Sequence, residues 1–233
     1  MTPHGPTCPI CSAPVPPPFR APPPEASPDL DMRPGEPTRS TLHHWMATCA
    51  TCGAAAPDLA DLPPSARGIV ESADYPAIAD SAPRYALPFL RWAAICRAVG
   101  RTATAAEAML MAAWAADDEA DDAHATAWRL EAAELWNQQP PTDAVQLVLV
   151  DVLRRAGAFA RAAAACETLR AQTQDENTLL VLAFQAARIA AGDRGRHLMG
   201  SALRPPARTP HLAHAPKPAK GLLAACRSQQ FCG

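Results

Sequence analysis

Apolar positions follow no sustained period up to about residue 84, and a helical one from Tyr85 onward. Leu87, Leu90, Ala94 and Ala98 form one stripe and Phe89, Trp92, Cys96 and Val99 another, before Gly100 as a stop signal. Thr104-Ala-Ala-Glu107 matches a capping box, opening a helix that carries Met109, Met111 and Trp114. After the acidic run Asp117–Asp122, a third helix is predicted with Ala125, Trp128, Ala132, Leu135 and Trp136 inward. Its Arg129, Glu131 and Glu134 are placed outward, and Pro140-Pro141 ends it. Beyond Thr142, Val145, Val148, Val152 and Ala156 line a face opposite Asp151, Arg154 and Arg155. Gly157 interrupts, and Phe159, Ala162, Ala163, Cys166 and Leu169 resume the spacing. The segment Asn177–Ala191 is apolar nearly all round and is predicted to be sandwiched between neighbours.

Repetition narrows the architecture. Leu153-Arg-Arg-Ala-Gly157-Ala-Phe159-Ala-Arg-Ala162 resembles the turn of a tetratricopeptide hairpin. There a Gly ends one helix, an aromatic fills the turn, and a small residue lets the second helix approach. Gly192 follows Gly157 by 35 residues, close to that motif's period of about 34. The expected fold is therefore mainly α, with tetratricopeptide-like hairpins over 85–193; an ordinary helical bundle is the alternative.

Composition separates this body from what precedes it. The 233 residues include 53 Ala and 26 Pro; 16 of the prolines lie in 1–64, and none in 89–139 or 142–204. Ala is the best helix former and Pro the worst, so an all-β protein is excluded. Pro14–Pro37 holds ten prolines in 24 residues, which predicts an extended Pro-rich loop without a core. Thr41–Cys49 reads as a short strand with Trp45 and Ala47 on one face, and 65–84 as a connector.

Net charge is −2, but from Arg194 onward seven basic residues meet no acidic one. Residues 194–233 are therefore expected to be a basic, largely disordered tail. No secretory start and no stretch of about 20 apolar residues is visible, so the expected compartment is the cytoplasm, with no membrane partner. Thiols stay reduced there, and eight cysteines need another explanation.

Four of them supply it. Cys8-Pro-Ile-Cys11 and Cys49-Ala-Thr-Cys52 would form two tight turns, each aiming two thiolates at one tetrahedral Zn2+. Gly53 relieves the backbone after the second pair, and Ser12 does so less well after the first. Cys8, Cys11, Cys49 and Cys52 are thus the candidate ligands of one structural zinc in a head spanning 1–64. Unligated thiols, a redox pair, or substitution by His43 or His44 (otherwise placed on strand faces) remain open alternatives.

The Cys8-Pro9-x-Cys11 turn, Trp45 ahead of Cys49-x-x-Cys52-Gly53, and helices with Trp92-Ala-Ala-Ile-Cys-Arg97 and Ala112-Ala-Trp114 resemble a bacterial family, domain of unknown function 2225. The resemblance spans roughly 6–195, with Ser12 and the Pro-rich spacer as departures. It implies a zinc-ribbon-like head on a helical-repeat body, and no activity.

The remaining features read plainly. Asp117–Asp122 lacks the pattern of a calcium loop and is expected to be a solvated turn. Cys96 and Cys166 fall on apolar faces; His211, His214, Cys226 and Cys232 stand in the tail. No phosphate loop, HExxH or GxSxG motif occurs. The expectation is a non-enzymatic module binding a protein or peptide along its helical groove. Its alternatives are a nucleic-acid-binding ribbon aided by the basic tail, and a CxxC thiol oxidoreductase.

Overall fold

The computed structural model describes residues 5–138 and 142–203. Pro140-Pro141, His211, His214, Cys226, Cys232 and most of the basic tail lie outside that range.

The chain is mainly helical. The first cysteine turn and a 3₁₀ turn, Arg39–His44, open it, followed by the strands β1 (Ala47–Thr48) and β2 (Ala55–Ala56) with the second cysteine turn between them. These pair antiparallel, with Ala47 opposite Ala56 and Thr48 opposite Ala55. The strand expected over Thr41–Cys49 is thus confined to its end. Leu42 is buried instead, and its carbonyl accepts from the Trp45 amide. Where a connector was expected, two short helices form, α1 (Arg67–Val70) and α2 (Asp74–Ser81).

The body follows as α3 (Leu87–Ala98), α4 (Thr102–Asp118), α5 (Asp122–Trp136), α6 (Asp143–Arg155), α7 (Phe159–Gln172) and α8 (Glu176–Ala190), with a last turn α9 (Met199–Ala202). From α2 to α8 each consecutive pair packs together, and α8 also reaches back to α6. Helices α3, α6 and α8 end alike. The residue after Gly100, Gly157 or Gly192 donates its amide five residues back, to Cys96, Leu153 and Arg188, at 2.8–3.0 Å. Asp121, Thr142 and Asp175 cap α5, α6 and α8 with side-chain oxygens. The Thr104–Glu107 capping box does not form, because α4 starts two residues earlier behind Arg101.

Alanine decides how closely the helices approach. Ala105, Ala106, Ala108, Ala112, Ala113 and Ala116 of α4 are all buried, facing partners such as Ala132 and Ala133 of α5. The helix enclosed on most sides is therefore α4. The one predicted to be sandwiched, α8, buries Val181, Leu182, Gln185 and Ile189 but leaves Leu180 47% exposed.

Two further expectations are corrected. The Pro-rich segment is not an open loop but packs into the helices: Val15 joins the main core, Leu30 packs with Val181 and Ala202, and Asp29, Asp31 and Arg33 are buried. Its Leu30 amide donates to the His197 carbonyl, and the Met199 amide to Pro28, so residues 197–199 run beside 28–30. Arg129, Asp151, Arg154 and Arg155, placed on outer faces by periodicity, are likewise buried. Residues of the head and of the helices share one apolar core, from Cys8 and Ile10 through Phe89 and Trp92 to Leu182 and Ile189.

Candidate metal centre

Each cysteine pair closes on the same two hydrogen bonds. In the first, the Cys8 amide donates to Ala13 and the Ser12 amide to Cys8, both at 2.8 Å. In the second, Cys49 donates to Ala54 at 2.8 Å and Gly53 to Cys49 at 2.9 Å. The residue after the second Cys must turn left-handed, at φ 61° for Ser12 and 72° for Gly53. Glycine meets that demand without strain and serine does not.

The two turns face each other. Cys8 Sγ lies 3.8 Å from Cys52 Sγ, Cys11 Sγ lies 3.6 Å from Cys49 Sγ, and all four sulfurs fall within 4.8 Å of one another. A tetrahedron of thiolates on bonds of about 2.3 Å has edges of roughly 3.8 Å. The four cysteines therefore lie close enough to hold one metal ion, and neither His43 nor His44 belongs to the group. Those two rings lie against each other, tilted by 47° with centroids 3.8 Å apart, on the 3₁₀ turn rather than on a strand.

Electrostatics single out one sulfur for the first proton loss. Burial raises the Cys49 thiol, but the amides of Cys52 and Thr51 and the Cys11 sulfur outweigh it and bring it down to about 7. Burial raises Cys8, and carries Cys52 up to about 12. Four thiols this close cannot all ionise without a cation to offset their charge.

The helices grip both turns. Arg91 of α3 donates to the Gly53 carbonyl at 3.3 Å, as does the Tyr75 hydroxyl of α2, which also accepts from the Ala55 amide at 3.2 Å. Arg67 of α1 donates to the Pro9 carbonyl at 3.2 Å. A Cβ on Gly53 would meet Arg91 Nη1 at 3.1 Å, so a larger residue would also push the end of Arg91 aside. Nothing in the sequence separated Arg67, Tyr75 or Arg91 from surface residues.

A second polar assembly was not read from the sequence at all. Asp31, fully buried, accepts from Arg155 at 2.8 Å, from the Trp114 indole at 2.9 Å and from the Arg33 amide at 3.3 Å. Asp117 takes both Nη groups of Arg129, at 3.0 and 2.6 Å, and Arg155 at 2.7 Å. Arg33 reaches Asp118 at 2.5 Å. Asp121 accepts from the His124 amide and the Tyr85 hydroxyl. Asp118, Glu119, Ala120 and Asp122 are exposed, as expected of a solvated turn, while Asp117 and Asp121 also serve as anchors. Burial raises Asp31, yet Arg155 and Arg129 outweigh it and hold its carboxyl below the ordinary range. Asp151 behaves oppositely: burial and the Asp31 charge push it up to about 6 despite its bond to Arg154, and its Oδ2 has no partner.

Cys96 and Cys166 lie in the core as expected, and burial raises both thiols. Among the described residues no helix is long and apolar enough to cross a membrane. Comparison with protein-family models, curated proteins and solved structures finds no match. The resemblance to domain of unknown function 2225 therefore rests on its motif residues alone.

Proposed function

We propose that the protein is a cytoplasmic, non-enzymatic interaction module. One structural Zn2+ on Cys8, Cys11, Cys49 and Cys52 would fasten its head to tetratricopeptide-type helical hairpins, which offer a groove to a protein or peptide. The observation that carries the metal part is the sulfur arrangement, with cross-pair distances of 3.6 and 3.8 Å. Four soft donors in that arrangement suit zinc. Three helices clasp the turns from outside, which fits a site that holds structure rather than one with an open position for chemistry. The motifs shared with domain of unknown function 2225 belong to the same reading.

A thiol oxidoreductase draws support from one observation, the lowered Cys49 thiol. That sulfur is buried, however, whereas an exchanging thiol must be reached. The nucleic-acid reading loses part of its charge. Arg194 is spent on Thr126 and the Arg155 carbonyl, and Arg196 on Asp29. Metal analysis of protein purified without added zinc tests the reading. About one zinc per chain, lost together with the head's structure on chelation, is expected. Metal-free protein with an ordered head, or a reversible disulfide among these four, would overturn it. Capture of a partner that survives deletion of residues 204–233 would separate the protein-binding reading from the nucleic-acid one.

A further inference from the structure

Between α4, α5 and α6 lies a cavity of about 510 Å³. That is the size of a small-molecule site. Its walls include Trp114, Trp136 and three methionines, Met32, Met111 and Met199. Among the described residues, the charged ones lining it are Asp31 and Glu107, with no basic residue.

The two acids differ. Asp31 is already matched by Arg155, Arg129 and the Trp114 indole. Glu107 makes no ion pair among the described residues, and the surrounding protein raises its carboxyl above the ordinary value. Glu107 stands exposed beside the cavity's apolar walls, where its carboxyl can meet an incoming cation.

The rim carries a second, independent sign. Met32 sits between Asp31 and Arg33, both buried, yet is itself 50% exposed with φ at +65°. Non-glycine residues rarely adopt that conformation, and outliers of this kind gather at ligand sites. Here the ion pairs on either side hold an apolar side chain out at the cavity's edge. Thioethers adapt to varied shapes, and indole faces attract cations.

We infer that this cavity is a binding site for a small apolar organic cation, an aryl- or alkyl-amine whose apolar part packs between Trp114, Trp136 and the methionines while its ammonium group meets Glu107. The site is separate from the cysteine cluster and does not depend on how that cluster is read.

The test is calorimetric titration of the full-length protein at pH 7 with three probes of one shape: 4-phenylbutylamine, 4-phenylbutan-1-ol and 4-phenylbutyrate. The amine should bind about tenfold or more tighter than the alcohol, and the carboxylate most weakly. Glu107→Gln should bring the amine to the alcohol's affinity, leaving the alcohol and the melting temperature unchanged. Met111→Trp, which fills the cavity from a half-buried position, should weaken amine and alcohol together. No binding of the amine at millimolar concentration, equal affinity for all three probes, or selectivity that survives Glu107→Gln would overturn the inference.

Discussion

The cysteine turns and the Asp31 assembly do the same mechanical job by opposite means. Both pin a Pro-rich, helix-poor segment onto alanine-rich helices whose side chains supply little apolar area each. The turns gather four like groups that repel when ionised and are stable together only around a cation. The Asp31 assembly gathers unlike charges, brought in by Asp31 and Arg33 on one side and by Asp117, Arg129 and Arg155 on the other, which largely satisfy one another. A thiol cluster thus depends on something from outside the chain, whereas an ion-pair cluster depends on every member being present. Removing one partner should expose that difference.

The largest effect is expected at the cysteines. Structural zinc sites contribute roughly 10–16 kcal/mol of apparent binding energy. Cys49→Ser or chelation should therefore disorder the head, with a loss well above 4 kcal/mol on that scale. Because head and helices share a core, the melting transition of the helices should also fall, by circular dichroism at 222 nm. If the helices melt unchanged, the shared core contributes little and the head is a separate unit.

Next in size is Asp31→Asn. It leaves Arg155 and Arg129 buried beside a lost charge, a change that costs about 3–5 kcal/mol. The double variant Asp31→Asn with Arg155→Met should recover part of that loss, since removing both members of a buried pair is often near neutral. Urea denaturation measures all corners of the cycle. No such rescue is expected for any pair of cysteines, and finding one would erase the contrast between the regions.

How well each region could be read from sequence follows from the same contrast. The cysteine cluster is visible because metal-site chemistry fixes both residue type and spacing, and a two-residue spacer allows almost one local geometry. The 3₁₀ turn at Arg39–His44 escaped because its pattern over a few residues fits a strand equally well. Arg129, Arg154 and Arg155 were misplaced because periodicity assigns charge to water by default. Arg154 pairs locally with Asp151, but Arg155 pairs with Asp31, 124 residues before it. A long-range ion pair has no spacing to read. Helix existence was legible over the whole body, since alanine, glycine stops and capping residues act locally. Which helix is enclosed was not, because burial of α4 rests on small side chains that carry almost no hydrophobic signal.

The third test uses pH and separates two carboxylates inside the ion-pair region. Asp31 has a lowered carboxyl, so its stabilisation is complete above the unfolded value of about 3.9 and is lost as pH falls further. Asp151, pushed up to about 6, has the opposite sign. Between about pH 4 and 6 the folded protein keeps a proton that the unfolded chain has released, so this residue destabilises progressively as pH rises. Asp151→Asn should gain on the wild type by 1–3 kcal/mol in order of magnitude between pH 4 and 7. A difference that stays flat across that range would mean Arg154 keeps Asp151 ionised. Taking the difference between variants cancels the acid sensitivity of the thiols.

The smallest effect is expected where the two regions stop differing. Ser12 closes the first cysteine turn at φ 61°, and Ala120, two residues past Asp118 at the end of α4, turns at φ 55°. At Ala120 the chain closes as it does after the helix-ending glycines, with the Asp121 amide bonded to the Ala116 carbonyl at 2.9 Å. Left-handed backbone costs a side-chain-bearing residue about 1–2 kcal/mol, part of which glycine returns as unfolded-state entropy. Ser12→Gly and Ala120→Gly should each stabilise by about 0.5–1 kcal/mol in urea denaturation of the metal-loaded protein. The strain is a matter of local sterics, so neither gain should depend on charge, and only the Ser12 gain should vanish when metal is removed, because its turn then no longer has to form. Equal loss of both gains on chelation would show instead that metal holds the whole chain in place.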